Sequence, residues 1–296
     1  PGPQAGPQAG PQAGPQADAN TSAAPPPASA LPPNKVSAEN EAGERGSRDR
    51  PQGGGAAEVD PKAELDPMTV EVAMEGIRRM DEAFNDPAAA GWKPHSTRDG
   101  VQILTRGATW GMGMGEIPAP VGVVFRVQEE PSSKGQLDKQ FLSGKVLHVT
   151  PPSKLRVDGW DTIELTLVHN LYKSPAWPVG PRDFYGVRAT LRRPTDGAVR
   201  VVLRSAVAAS FPSPSGYTRS TVECGGYDAI PRGPEETLMK YVNMVDPGGS
   251  IPSSVVKITI PDRAMVIARV RKVALSTRDQ WHLAPEWANL PQSPGV

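Results

Sequence analysis

Cysteine is almost missing from this chain, which holds a single one, Cys224, among 296 residues. One cysteine excludes an intrachain disulfide and any zinc cage built on thiolates, and it fits a reducing, cytoplasmic setting. Long apolar runs are missing too. No stretch approaches the ~18 residues needed to cross a bilayer, so only peripheral, transient membrane contact is expected. Neither sign of charge dominates, with 32 Lys and Arg against 32 Asp and Glu. A balanced chain offers no broad basic field, and no nucleic-acid partner is expected. Catalytic patterns are absent as well. The four histidines, His95, His148, His169 and His282, share no metal-ligand spacing. Neither H-E-x-x-H nor G-x-S-x-G occurs. Cys224 inside an apolar strand reads as a small buried residue rather than a nucleophile. The expectation is a non-enzyme without cofactor or metal.

Proline and glycine are plentiful, at 34 and 30 residues. Much of this sits at the start, where Gly-Pro-Gln-Ala repeats four times after Pro1, followed by Pro/Ala/Ser-rich and then charged, Gly-rich sequence. Such a segment has almost nothing to bury, so residues 1–62 are expected to be a disordered linker. Pro1 stands where an initiator Met would, and no signal-peptide pattern follows, so a fragment or processed product is expected. Residues 63–276 carry the periodic patterns of a folded domain. Residues 277–296, with Trp281, Trp287 and three prolines, read as an irregular tail.

In the folded part, Val70, Met74, Ile77 and Phe84 fall near one side of a helix, with Arg78 and Arg79 turned away. Residues 92–95, 101–106 and 109–117 read as strands, the first two joined by an Arg98-Asp99-Gly100 hairpin. Every second residue from Gly111 to Gly115 is glycine. No phosphate-loop pattern surrounds them, so they predict a strand against which something packs closely. A helix is expected over 118–130, a short turn over 137–141, and strands over 145–149, 155–160, 163–171, 182–191, 199–208 and 217–224. The last strand, 237–246, alternates so that Lys240 and Asp246 face water and the odd-numbered residues face inward. Pro247-Gly248-Gly249 breaks it. A final helix then carries Val256, Ile260, Ile267, Val270 and Ala274 on one stripe, kinked at Pro261. Periodicity alone leaves 256–260 open between helix and strand. The order of elements is an α+β plan, a curved antiparallel sheet needing one long apolar helix on its concave side.

Three blocks resemble the StAR-related lipid-transfer (START) domain family. They are Val179-Gly180-Pro181-Arg182-Asp183-Phe184-Tyr185-Gly186-Val187-Arg188, then Glu223-Cys224-Gly225-Gly226-Tyr227-Asp228-Ala229-Ile230-Pro231, and the final stretch with Asp246-Pro247-Gly248-Gly249, Ile251-Pro252 and Pro261. The resemblance covers roughly residues 66–275. It implies a helix-grip fold, a curved antiparallel sheet of about nine strands wrapped around a long C-terminal helix. It implies a monomer that binds one lipid, of sterol, phospholipid or ceramide class, in an internal cavity for transfer between membranes. A lipid-sensing or localising module of a larger protein, or an enzyme of the wider superfamily, are the alternatives.

A greasy wall tolerates many lipids, so discrimination falls to a few polar groups. The candidates are Arg188, His169, Ser205, Tyr241 and Asn243, with Leu203, Met239, Val256, Ile260 and Ile267 as wall and lid. Arg188 matches an arginine that some family members turn inward against an acid. The neighbouring strand, Leu167-Val168-His169-Asn170, lacks that carboxylate, although Glu164 lies upstream. Tyr185, Val187, Ala189 and Leu191 form the more apolar side of the strand, which would turn Arg188 outward. Arg182 and Asp183 read as braces between strands and loops. Arg269, Arg271 and Lys272 read as complements to the final helix dipole.

Overall fold

The computed structural model of the chain describes residues 65–174, 179–207, 211–249, 251 and 260–280. The expected linker, Val256 and the tail beyond residue 280 lie outside the described residues. The chain enters with helix α1 (Leu65–Asn85), then strands β1 (Lys93–Arg98), β2 (Val101–Arg106) and β3 (Trp110–Ile117). Helices α2 (Val121–Glu129) and α3 (Pro131–Leu137) lead into β4 (Phe141–Thr150), β5 (Asp161–Tyr172), β6 (Arg182–Arg192) and β7 (Val199–Ser205). The short β8 (Thr218–Arg219), β9 (Thr221–Gly233) and β10 (Glu236–Asp246) follow. Residues 260–264 are helical and run into α4 (Val266–Ser276).

The strands form one sheet in the order β1-β2-β3-β10-β9-β7-β6-β5-β4, with β8 attached to β6. Its pairings are antiparallel except for the two-residue β6/β8 contact. Asp99 (φ 47°) and Gly100 (φ 67°) turn the first hairpin, both with the positive φ that a tight two-residue loop requires. The expected strand over 155–160 does not form. Pro151-Pro152 ends β4 in a 3-10 turn, and only an isolated Val157↔Trp160 bridge follows. The expected turn after 137 is preceded by α3, which starts on Pro131 at a position where the missing N–H costs nothing.

Both sides of the sheet are covered, and this decides where side chains look. On one side, α1 packs Ala73, Ile77, Met80 and Phe84 onto Tyr185, Val187, Ala189, Val202, Cys224, Val242 and Met244. The buried side of α1 is rotated from the expected stripe. Met74 stays 42 % exposed, while Ala73, Gly76 and Met80 are buried. Gly76 explains the choice. A Cβ there would lie 2.8 Å from Val202 Cγ1, so the small residue lets the helix settle on β7. Cys224 is sealed beneath it, and burial pushes its thiol pKa up to about 12, as expected of an inert core cysteine.

On the other side, α2 and α4 pack around Val101, Ile103, Met239 and Ile117. The glycines of β3 receive the final helix. A Cβ on Gly111 would lie 3.0 Å from the Ile260 carbonyl oxygen, and one on Gly113 would lie 2.9 Å from that of Ala264. The close-packing partner expected from the alternate glycines is therefore the final helix. The described part of this helix begins at Ile260, so the expected kink at Pro261 lies at the edge of the described residues, and an irregularity within them falls at Met265. Met265 takes φ −71°, ψ 0° and donates to Asp262 O at 3.1 Å, a tightened turn between residues 260–264 and α4. Arg271 donates to Glu116 O (2.9 Å) and Asp99 O (2.5 Å), and Arg269 reaches Asp262. Arg271 ties α4 to β3 and the β1–β2 turn and Arg269 ties it to the preceding helical residues, which corrects the dipole reading for these two.

Candidate functional site

Between the concave side of the sheet and α2, α3 and residues 260–264 lies a cavity of about 580 Å³. Strand parity builds its wall. Thr166, Val168, Asn170 and Tyr172 of β5 face it, paired across to Arg188, Phe184 and Arg182 of β6. From the next strands come Val201, Leu203, Tyr227, Tyr241 and Asn243, with Ile260 and Val266 closing over them. The odd-numbered side of β10 faces inward, as its alternation predicts. On the even side Asp246 is exposed as expected, but Val242 and Met244 pack in the core with α1 and Lys240 Nζ donates to Phe84 O at 3.3 Å.

Arg188 points into this cavity. The apolar alternation of β6 faces α1, so the polar side is the cavity side. The guanidinium meets two carboxylates from separate elements: Glu164 of β5, with Nη1 donating to Oε2 at 2.6 Å, and Glu129 at the end of α2. Tyr227 Oη donates to Glu129 Oε1 at 3.4 Å. Burial works against the Arg188 charge, but Glu129 and Glu164 outweigh it and hold its pKa above the ordinary arginine value. Glu129 was legible in principle. It stands four residues after Phe125, one turn further along the buried side of α2.

A second polar group lies where residues 260–264 cross the α3–β4 connection. Arg263 Nη1 donates to Asp138 Oδ2 (2.6 Å) and Nη2 to Gln140 Oε1 (2.5 Å). Burial raises the Tyr172, Tyr227 and Tyr241 phenols above their ordinary pKa, so all three stay neutral donors facing the cavity. Neither Asp138 nor Arg263 carried a sequence signal, because their pairing spans 125 residues.

The expected site residues divide. Arg188, Leu203, Tyr241, Asn243 and Ile260 line the cavity. Met239 and Ile267 are fully buried in the packing of the final helix, beyond the cavity wall. Ser205 spends its hydroxyl on the sheet, accepting the Val222 N–H at 2.8 Å where the β7/β9 pairing ends. His169 lies on the other side of β5, 3.0 Å from Asp183, with the Phe211 ring edge-on to its own.

Asp183 is fully buried and accepts from Ser213 Oγ (2.9 Å) and from Arg219 Nε and Nη2 (2.9 and 2.7 Å). Burial raises its pKa, but the Arg219, His169 and Ser213 contacts outweigh that and hold it below the ordinary carboxylate value. Ser213, His169 and Asp183 contain the residue types of a hydrolase triad without its geometry. The hydroxyl and the imidazole both address the carboxylate, so no base faces the hydroxyl. Arg182 donates to the carbonyls of Gly180, Pro247 and Gly248, bracing the turn after β10. Among the described residues no group of His, Cys, Asp and Glu is placed to hold a metal.

The START domain family model matches residues 116–281. Solved structures share the fold. Human StAR-related lipid transfer protein 5 is 18% identical with a TM-score of 0.60, over 72% of this chain and 99% of that one. Human STARD10 is 17% identical with a TM-score of 0.56, over 75% and 88%. The human StarD13 (DLC2) lipid transfer and protein localization domain is 19% identical with a TM-score of 0.50, over 67% and 94%. No curated protein matches the chain.

Proposed function

We propose that this chain, which belongs to the START domain family, takes one lipid into the cavity behind β5–β10 and carries it between membranes. The observation that supports this reading is the cavity itself. It is of ligand size, about 580 Å³, mostly apolar, with Arg188 and Glu129 together on its wall and Glu164 paired to Arg188 from β5.

Energetics divide the labour. Burying a methylene is worth ~0.8 kcal/mol relative to water, but a lipid leaving a bilayer gives up chains that are already dry. Val168, Leu203 and Ile260 therefore provide tolerance for the chains. Arg188 with its two carboxylates, Asn243 and the neutral Tyr241 and Tyr227 phenols provide discrimination at the polar end. A carboxylate on each side leaves the guanidinium with remaining donors, while Glu129 accepts from a hydroxyl or amide. A sterol hydroxyl, a ceramide amide and a phospholipid head each satisfy part of that set. The final helix is the part that moves, releasing the Arg263–Asp138 pair by which residues 260–264 close one side of the cavity.

The test is native mass spectrometry of protein purified from its own cells, followed by transfer of the lipid found between donor and acceptor vesicles. One lipid per chain and transfer above the uncatalysed rate are expected. A chain that holds no lipid and moves none overturns the proposal.

A further inference from the structure

The last strand in the sheet order, β4, pairs with β5 and, among the described residues, with no other strand on its second edge. Most edge strands bury or charge their apolar residues. This one exposes them. Leu142 is 48 %, Val146 56 % and Val149 62 % exposed. Register shows which way two of them face. Val146 pairs with Val168 and Val149 with Thr166, both on the cavity side of β5. Val146 is at once half-exposed and part of the cavity wall, so the cavity opens to the surface along this edge.

The strip is also basic. Between residues 130 and 150 stand Lys134, Lys139 and Lys145 against Glu130 and Asp138, and Asp138 is already paired with Arg263. Lys173 joins them, its backbone N–H bonded to Gln140 O at 2.7 Å. Lys134 holds its ammonium 5.7 Å from the Phe141 ring at the lip. A second copy adding its own strand to this edge is opposed by the geometry. Register shifts at Leu142 and Leu147 interrupt the row of backbone donors and acceptors, and Lys145 stands in it. Aliphatic side chains interleaved with lysines, beside an apolar opening, match the chemistry of an anionic bilayer surface.

We propose that the β4 edge is the face by which this chain docks on an anionic membrane, setting the mouth of the cavity against the lipid. The proposal rests on the lipid-binding reading above and names where that lipid passes.

The test is co-sedimentation with vesicles of phosphatidylcholine alone or with phosphatidylserine. Wild type is compared with Leu142→Asn/Val149→Asn and with Lys139→Glu, none of which lines the cavity. Wild type is expected to favour the anionic vesicles, less so in added salt, and each variant to lose at least roughly fivefold, the value of about one basic residue near such a surface. An unchanged melting midpoint shows that the variants fold, and Lys139→Glu, at an exposed position, keeps the test alive should the double variant not fold. Uptake of a short-chain monomeric lipid from solution, read by native mass spectrometry, is expected to be unaffected. Wild type that ignores anionic vesicles, or variants that sediment as wild type does, overturns the proposal. So does a wild-type dimer that the variants dissociate, which would make the strip a self-interface. Docking that persists in a protein taking up no monomeric lipid would leave the docking face standing and remove the lipid-carrying function.

Discussion

At the scale of single residues, Arg188 is the point where stability and selectivity meet. Its guanidinium separates Glu129 from Glu164, so removing it leaves two carboxylates without their shared cation. Losing one partner of a fully buried pair costs ~3–5 kcal/mol. These side chains keep some access to solvent through the cavity, and a discounted ~1–3 kcal/mol is expected for Arg188→Leu. Urea midpoints measure that loss. Against a lipid panel the same variant should change the order of preferred head groups while long-chain binding stays measurable. A variant that ranks the panel as wild type does would remove Arg188 from the recognition site.

Asp183 works on stability alone. Its carboxyl is held below the ordinary value, so its contribution is complete above the unfolded pKa of about 3.9. The contribution is lost as pH falls through the lower folded value, where the protonated carboxyl no longer holds Arg219 and His169. Urea midpoints taken from pH 7 down to pH 3 should therefore fall at the acid end. Asp183→Asn should start lower at pH 7, by about 2–4 kcal/mol for an uncompensated buried network, and flatten the acid slope. An Asn variant with wild-type stability at pH 7 would contradict the network described.

At the scale of elements, the final helix lies on β3 because β3 offers backbone where other strands offer side chains. Gly113→Val would drive a branched side chain into the Ala264 carbonyl, the Ala264 Cβ and Ile267. Overpacking of this kind costs ~1–3 kcal/mol. The expected signature is local, with amides of α4 exchanging faster while those of β5 and β6 stay protected. Uniform loss of protection would mean that helix and sheet unfold as one unit.

The element scale also shows where pattern succeeds. Asp99-Gly100 and the Gly111/Gly113/Gly115 alternation carry their structural meaning locally, in φ and in missing Cβ atoms, and both were legible. The strand expected over 155–160 failed for an equally local reason, the Pro151-Pro152 pair and the positive-φ Gly159 overriding apolar residues that looked like a strand. The stripe of α1 failed for a different reason. Whether Met74 or Gly76 is buried depends on how close the helix sits to Val202, which is not a property of the helix.

At the scale of the whole molecule, residues 1–62 are proposed to be a linker that neither stabilises the domain nor contacts the lipid. A chain beginning near Asp60 should keep the full thermal transition and full lipid uptake. A midpoint lowered by several degrees would place the domain boundary earlier. Among the described residues no helix is long and apolar enough to cross a membrane.

The amino-acid sequence by itself determined the α+β plan, the inward side of β10, the glycine bed of β3 and the inertness of Cys224. Each of these follows from period, turn chemistry or composition within one segment. Tertiary structure alone decided the direction of Arg188. Because α1 covers the second side of the sheet, the apolar residues of β6 have somewhere to be buried other than the cavity, and alternation no longer tells inside from outside. The same covering took His169 out of the cavity and gave its imidazole to Asp183. It also took packing across the chain to bring Glu129 to Arg188 and Asp138 to Arg263. A pairing between distant segments leaves no periodicity in either, since the energy that selects it exists only once both elements stand on the same sheet.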